Sequence, residues 1–183
     1  MKLRYLLPVS LAISVVAAGA QTTADNAKPA VPPAATSPAT AATHDPLVDA
    51  RAMMSKKQFA EAAAAFQAIL AKDPSSAEAN AGLVRSLLRG HKVDEAEEAA
   101  KKAVTAAPNS AMVHAAAGDV AFRAGKFADT EAEYRAALGL DANSARAQFG
   151  MGRMYEMVSM HKRAKERFAK AHELDPEDEQ IFE

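Results

Sequence analysis

A turn recurs along this chain at a fixed interval. The segments Lys72-Asp73-Pro74-Ser75-Ser76, Ala107-Pro108-Asn109-Ser110, Asp141-Ala142-Asn143-Ser144 and Asp175-Pro176-Glu177 put their markers at 74, 108, 142 and 176, so that each stands 34 residues after the last. A repeat of this length is one supersecondary unit, and a single helix pair cannot cover its own apolar face; stacking on neighbours is what makes it stable. The period therefore predicts a linear array of helical hairpins.

The residues inside each unit agree with that reading. Twelve positions before each marker lies a column of small residues, Ala62, Ala96, Thr130 and Ala164, where the second helix of a pair crosses the first too closely for a large side chain. Four positions later a larger column, Phe66, Ala100, Tyr134 and Phe168, fills the space between neighbouring helices. Phe59, Val93, Phe127 and His161 open the second helices, while Gly118 and Gly152 allow close approach in the first helices of units three and four. The turns within hairpins fall near Lys56-Lys57, Gly90-His91, Gly125-Lys126 and Ser159-Met160, with helices of about 12–14 residues on either side.

This pattern resembles the tetratricopeptide repeat family over about residues 43–178, in units 43–76, 77–110, 111–144 and 145–178. The chain departs from the family at Ala100, where an aromatic is usual, at Thr130 in place of alanine and at Ala142 in place of proline. The resemblance implies an all-α, right-handed α-solenoid of about four helix-turn-helix repeats whose first helices line a concave, protein-binding face. Some family members hold a peptide's terminal carboxylate with a lysine clamp. This chain has Leu47, Ala81, Ala115 and Phe149 where a clamp lysine would stand, so the resemblance implies protein or peptide binding in general.

Arginine is distributed unevenly over the array. Arg51, Arg85, Arg89, Arg123, Arg146 and Arg153 all fall on first helices, and no lysine does. Arg51, Arg85 and Arg153 share a column with Asp119, and Arg89 and Arg123 share the next one along. Guanidinium groups pair bidentately with carboxylates and are less hydrated than ammonium, so these seven residues are the candidate partner-binding set, with Arg85 and Arg89 foremost. Asp119 four before Arg123, and Arg153 three before Glu156, have the spacing of pairs within one helix. Met54, Leu88, Phe122, Phe149 and Met157 interleave as candidate apolar anchors. The competing reading is that the arginines are solvated surface charges or contacts between units.

Outside the array, residues 1–20 carry the parts of a secretory signal: basic Lys2 and Arg4, an apolar stretch, and the small triplet Ala18-Gly19-Ala20. Cleavage before Gln21 is expected, which would leave a periplasmic or secreted protein with no membrane span; an uncleaved anchor is the alternative. Residues 21–42, rich in Ala, Pro and Thr, are expected to be a disordered linker. Residues 179–183 are the start of a fifth helix or a frayed tail, and Ile181 and Phe182 in it leave open a longer protein.

Composition excludes several functions. The formal net charge is −1, and losing Lys2 and Arg4 with the leader takes it to −3, which disfavours nucleic acid as a partner. The absence of cysteine removes disulfides, thiolate metal sites and a cysteine nucleophile. His44, His91, His114, His161 and His172 lack the i, i+4 metal spacing, and no phosphate loop or nucleophile elbow is present. No cofactor and no catalysis are expected. The chain reads as an envelope scaffold or adaptor for an acidic protein or peptide. The alternatives are the repeat arm of a longer extracytoplasmic enzyme, such as a protease or cell-wall hydrolase, and head-to-tail self-association through uncapped ends.

Overall fold

Serine closes the turn in three successive units, and each of these serines caps a helix. In the computed structural model, which describes residues 45–176, Ser76, Ser110 and Ser144 accept hydrogen bonds through Oγ from the backbone N–H groups of Ala79, Val113 and Ala147 at 3.3, 3.4 and 3.4 Å. Asp45 does the same for Leu47 at 3.0 Å, with Pro46 in the first turn where no N–H is needed. Eight helices result: α1 Pro46–Ser55, α2 Phe59–Leu70, α3 Ala77–Arg89, α4 Val93–Ala106, α5 Ala111–Arg123, α6 Phe127–Leu140, α7 Ala145–Met157 and α8 His161–Leu174. No strand occurs among the described residues. The expected leader at 1–20, the expected linker at 21–42 and residues 177–183 lie outside them, as does His44.

The hairpin turns stand where expected, and they share one backbone feature. Lys57, His91 and Ser159 have φ of 58°, 60° and 58°, and Gly125 has 74°, so every hairpin turns through a left-handed residue at the same place in the repeat. Only glycine adopts that conformation without a Cβ clash worth roughly 1–2 kcal/mol. Ser159→Gly is therefore expected to stabilise the protein by about 0.5–1 kcal/mol, read as a higher urea midpoint at unchanged slope. A lower midpoint would show that the serine side chain contributes more than the strain costs.

Packing gives the array its inner and outer rows. Along the stack α1 touches α3, α3 touches α5 and α5 touches α7, whereas the even helices touch only the odd helices beside them. In a curved stack the row whose members meet one another is the inner one, so α1, α3, α5 and α7 line the concave side. The expected small column, Ala62, Ala96, Thr130 and Ala164, is fully buried in the even helices, and Thr130 satisfies its hydroxyl by donating to Lys126 O at 2.8 Å.

The aromatic column explains how one unit grips the next. Tyr134 is wedged between Gly118 of its own hairpin and Gly150 of the following one; a Cβ at Gly118 would stand 2.6 Å from the ring. Phe66 lies on Gly82 and Phe168 on Gly152 in the same way. Where the column shrinks to Ala100, its neighbours grow: Val84 and Ala116 occupy the two facing positions, and all three share one buried cluster. Volume is conserved at each level, as close packing requires.

A second repeated device fixes the turns between units. Asn80 donates through Nδ2 to Pro74 O at 2.9 Å, His114 through Nε2 to Pro108 O at 2.8 Å, and Gln148 through Nε2 to Ala142 O at 2.9 Å. The turn marker's carbonyl is thus held by the side chain six residues on. Proline is dispensable at 142 because the contact runs through the carbonyl.

Candidate functional site

The repeat fixes where each concave-side charge can point. Residues 27 apart meet across the boundary between units: the Arg51 guanidinium hydrogen-bonds Glu78, Arg85 approaches the Met112 sulfur at 3.9 Å, and Asp119 accepts from Arg146. The ladder reverses its charge order in the third unit and lacks its acid in the second. Arg85 also lies back along α3, donating from Nε to Ala81 O at 3.2 Å. Arg51 and Arg85 border one shallow depression, with Met54, Glu78, Gly82 and Met112.

The remaining candidates converge. Arg89, Arg123, Arg146, Arg153 and Asp119 line a single cleft of about 300 Å³, floored by Phe59, Leu88 and Phe149 and flanked by Lys57 and His91. Arg85 and Arg89, expected to act as a pair, therefore face different depressions. Among the described residues that line the cleft, five cations stand against one carboxylate, a net charge of +4 with His91 neutral, within a chain whose formal net charge is −1.

The members of the cleft are held in different ways. Arg153 stacks on Phe122 at 4.0 Å, which fixes its guanidinium by a cation–π contact. Asp119, only 8% exposed, receives the Tyr134 hydroxyl at 2.7 Å on one oxygen and Arg146 Nε on the other. Burial first, and then the charge and hydrogen bond of Asp119, push ionisation of the Tyr134 phenol well above its ordinary range, so the hydroxyl stays a donor. Contrary to the spacing expectation, Asp119 does not pair with Arg123, because it uses its oxygens on two other helices. Glu156 likewise pairs with His161 Nδ1 at 3.1 Å, and Arg153 goes to Phe122. For Asp119, a partner across a desolvated contact outcompetes a solvent-exposed neighbour on the same helix.

Lys57 and His91 belong to the cleft although neither lies on a first helix. Both are the left-handed residues of their hairpins, just beyond the ends of α1 and α3, and both line the cleft. Their equal place in the repeat was visible in the sequence; their side of the array was not. Among the described residues no group of three or more His, Asp or Glu side chains could hold a metal ion, and no helix is long and apolar enough to cross a membrane. His114 serves the scaffold, since it also bridges to Glu133 at 2.7 Å. What the cleft can do chemically is bind anions beside an apolar surface.

Tetratricopeptide repeat family profiles match residues 53–119 and 115–178. Among curated proteins none matches the chain. Solved structures of similar fold include TTC0263, a thermophilic tetratricopeptide repeat protein of Thermus thermophilus, at 20% identity and TM-score 0.63 over 76% of this chain and 78% of that one. PilF of Pseudomonas aeruginosa is similar at 20% identity and TM-score 0.60, over 74% and 62% of the respective chains. MamA from Desulfovibrio magneticus RS-1 is similar at 22% identity and TM-score 0.55, over 74% and 78%.

Proposed function

Because this chain belongs to the tetratricopeptide repeat family, a family of protein-interaction scaffolds, we propose that it is a non-catalytic adaptor of the cell envelope whose concave face holds a segment of an acidic partner protein. One observation carries the reading: a net charge of +4 is gathered in one concavity of a molecule that is slightly acidic as a whole. Concentrated charge in a low-dielectric cleft steers and retains an oppositely charged ligand, whereas the same charges spread over a surface are screened. Phe59, Leu88 and Phe149 add an apolar floor, so that the occupant is a peptide with side chains to bury.

Export rests on the basic, apolar and small-residue parts of residues 1–20 and, with cleavage before Gln21, would put the array in the periplasm or outside the cell. The partner is a different protein in this reading. In-register stacking of two copies would set Phe168 of one against Val48 of the next, which is 45% exposed and occupies the column filled by Gly82, Ala116 and Gly150. A branched side chain there obstructs the seat that Phe66 and Tyr134 find over glycine.

The test is reversal of two cleft charges at once. Arg89→Glu with Arg123→Glu takes the cleft from +4 to neutral and is expected to weaken capture of the envelope partner by about 2 kcal/mol or more, roughly thirtyfold, with the helical circular dichroism unchanged. Undiminished capture by the folded double variant would refute the cleft assignment.

A further inference from the structure

The sequence beyond α8 has the chemistry the cleft selects. Residues 177–183 read Glu-Asp-Glu-Gln-Ile-Phe-Glu: four carboxylates, no cation, and the adjacent apolar pair Ile181 and Phe182. Their charge of −4 matches the +4 of the cleft, and Ile181 and Phe182 match its floor of Phe59, Leu88 and Phe149. No other stretch of seven residues in the chain combines four acids with no base and an adjacent pair of large apolar side chains.

The fold brings this segment's root to the right end of the array. α8 runs antiparallel to α7, with Phe168 packed on Phe149 at 5.2 Å between ring centres and Arg167 bonded to Gln148 at 2.7 Å. From Phe168 the helix continues six residues to Leu174, about 9 Å, toward the end of α7 that carries Arg146. Arg146 and Phe149 are themselves cleft residues. Pro176 follows Leu174 closely and opposes extension of α8. Seven residues beyond it reach up to roughly 23–25 Å, enough to enter the cleft from the Arg146 end.

Resting on the cleft assignment made above, we propose that residues 177–183 occupy the arginine cleft in the absence of a partner, so that the chain carries its own competitor for the acidic ligand. A tethered segment acts at an effective concentration in the millimolar range, so even a segment that binds with a dissociation constant of about 100 μM alone would weaken an external ligand about tenfold. The partner must then offer more contact than the segment does, which sharpens selection against short acidic peptides.

The experiment uses the full chain and a fluorescein-labelled peptide with the sequence of residues 177–183. In one variant the acids are neutralised by Glu177→Gln, Asp178→Asn, Glu179→Gln and Glu183→Gln; in a second, Ile181→Ser and Phe182→Ser remove the apolar pair. Fluorescence anisotropy is expected to show both variants binding the peptide more tightly than the unaltered chain, by about tenfold for the first, and addition of Arg89→Glu and Arg123→Glu to either is expected to abolish that binding. Equal affinity of all three proteins for the peptide, or no binding by any of them, would overturn the proposal. If neither tail variant gains affinity while Arg89→Glu with Arg123→Glu still loses the partner, the self-occupancy idea fails and the cleft remains the partner site. Partner capture that survives the arginine reversals instead removes the cleft itself.

Discussion

Tyr134→Ala is expected to lower stability by about 4 kcal/mol or more, the largest loss from any single truncation in the array. The side chain is fully buried, and its ring sits between Gly118 and Gly150, so its removal leaves a cavity with two glycine walls that have no side chain to move into it. Truncating a buried aromatic costs about 3–5 kcal/mol, with the upper end at sites that cannot relax. The hydroxyl adds a hydrogen bond to a buried carboxylate, worth about 1.5–3 kcal/mol in its own right. Against a total of about 5–15 kcal/mol for a domain, such a loss brings the array close to unfolding.

The position makes the effect directional as well as large. Each unit of a stacked array is stabilised by its neighbours, so a lesion between α5, α6 and α7 uncouples the last hairpin from the rest. Chemical denaturation of Tyr134→Ala is expected to show a broadened transition with a lower slope, from partial unfolding of α7 and α8. Tyr134→Phe keeps the ring over both glycines and loses only the hydroxyl, so its transition should stay sharp and shift by about a third to a half as much. A loss under about 2 kcal/mol for the alanine variant would mean that the glycine seat closes over the gap.

What this chain's sequence discloses and what it hides have the same origin. Periodic positions reveal what repeats, and so the helix pairs, the hairpin turns and the buried small column were all legible from the 34-residue spacing. Gly118 and Gly152 are legible as close-approach residues, but Gly82 and Gly150 are not, because their aromatic partners belong to the preceding unit. The signal was present as a covariation in volume: Ala100 is flanked by Val84 and Ala116 where Phe66 and Tyr134 are flanked by smaller residues. The polar column Asn80, His114 and Gln148 went unread for a similar reason, since three different side chains perform one task.

The candidate site was legible in location and not in direction. All six arginines do lie on the inner-row helices, yet a helical column states only which residues are stacked, and two of the seven candidates, Arg51 and Arg85, border a separate depression. Spacing within a helix suggests a pair of Asp119 and Arg123 that the structure does not make, because the 27-residue offset between units places the less solvated Arg146 in reach. Lys57 and His91 were hidden by lying in turns. Both stand at the left-handed position of their hairpins, outside the helical columns that spacing reveals.

Arg146→Met alone is expected to cost about 3–5 kcal/mol, because it strips a buried carboxylate of its counter-charge and leaves Asp119 with the Tyr134 hydroxyl as its remaining described partner. Adding Asp119→Asn should recover at least half of that loss, since the amide oxygen can still accept from Tyr134 and no buried charge is left unpaired; a double-mutant cycle by urea denaturation measures the coupling. The same double variant separates scaffold from ligand contact. Removing one cation and one anion leaves Lys57, Arg89, Arg123 and Arg153, so the cleft keeps its net charge of +4. Partner binding should therefore persist in Asp119→Asn with Arg146→Met, while it is lost in Arg89→Glu with Arg123→Glu. If the folded pair variant loses the partner as well, Arg146 contacts the ligand directly, and the division between the charges that hold the cleft and the charges that read its occupant does not stand.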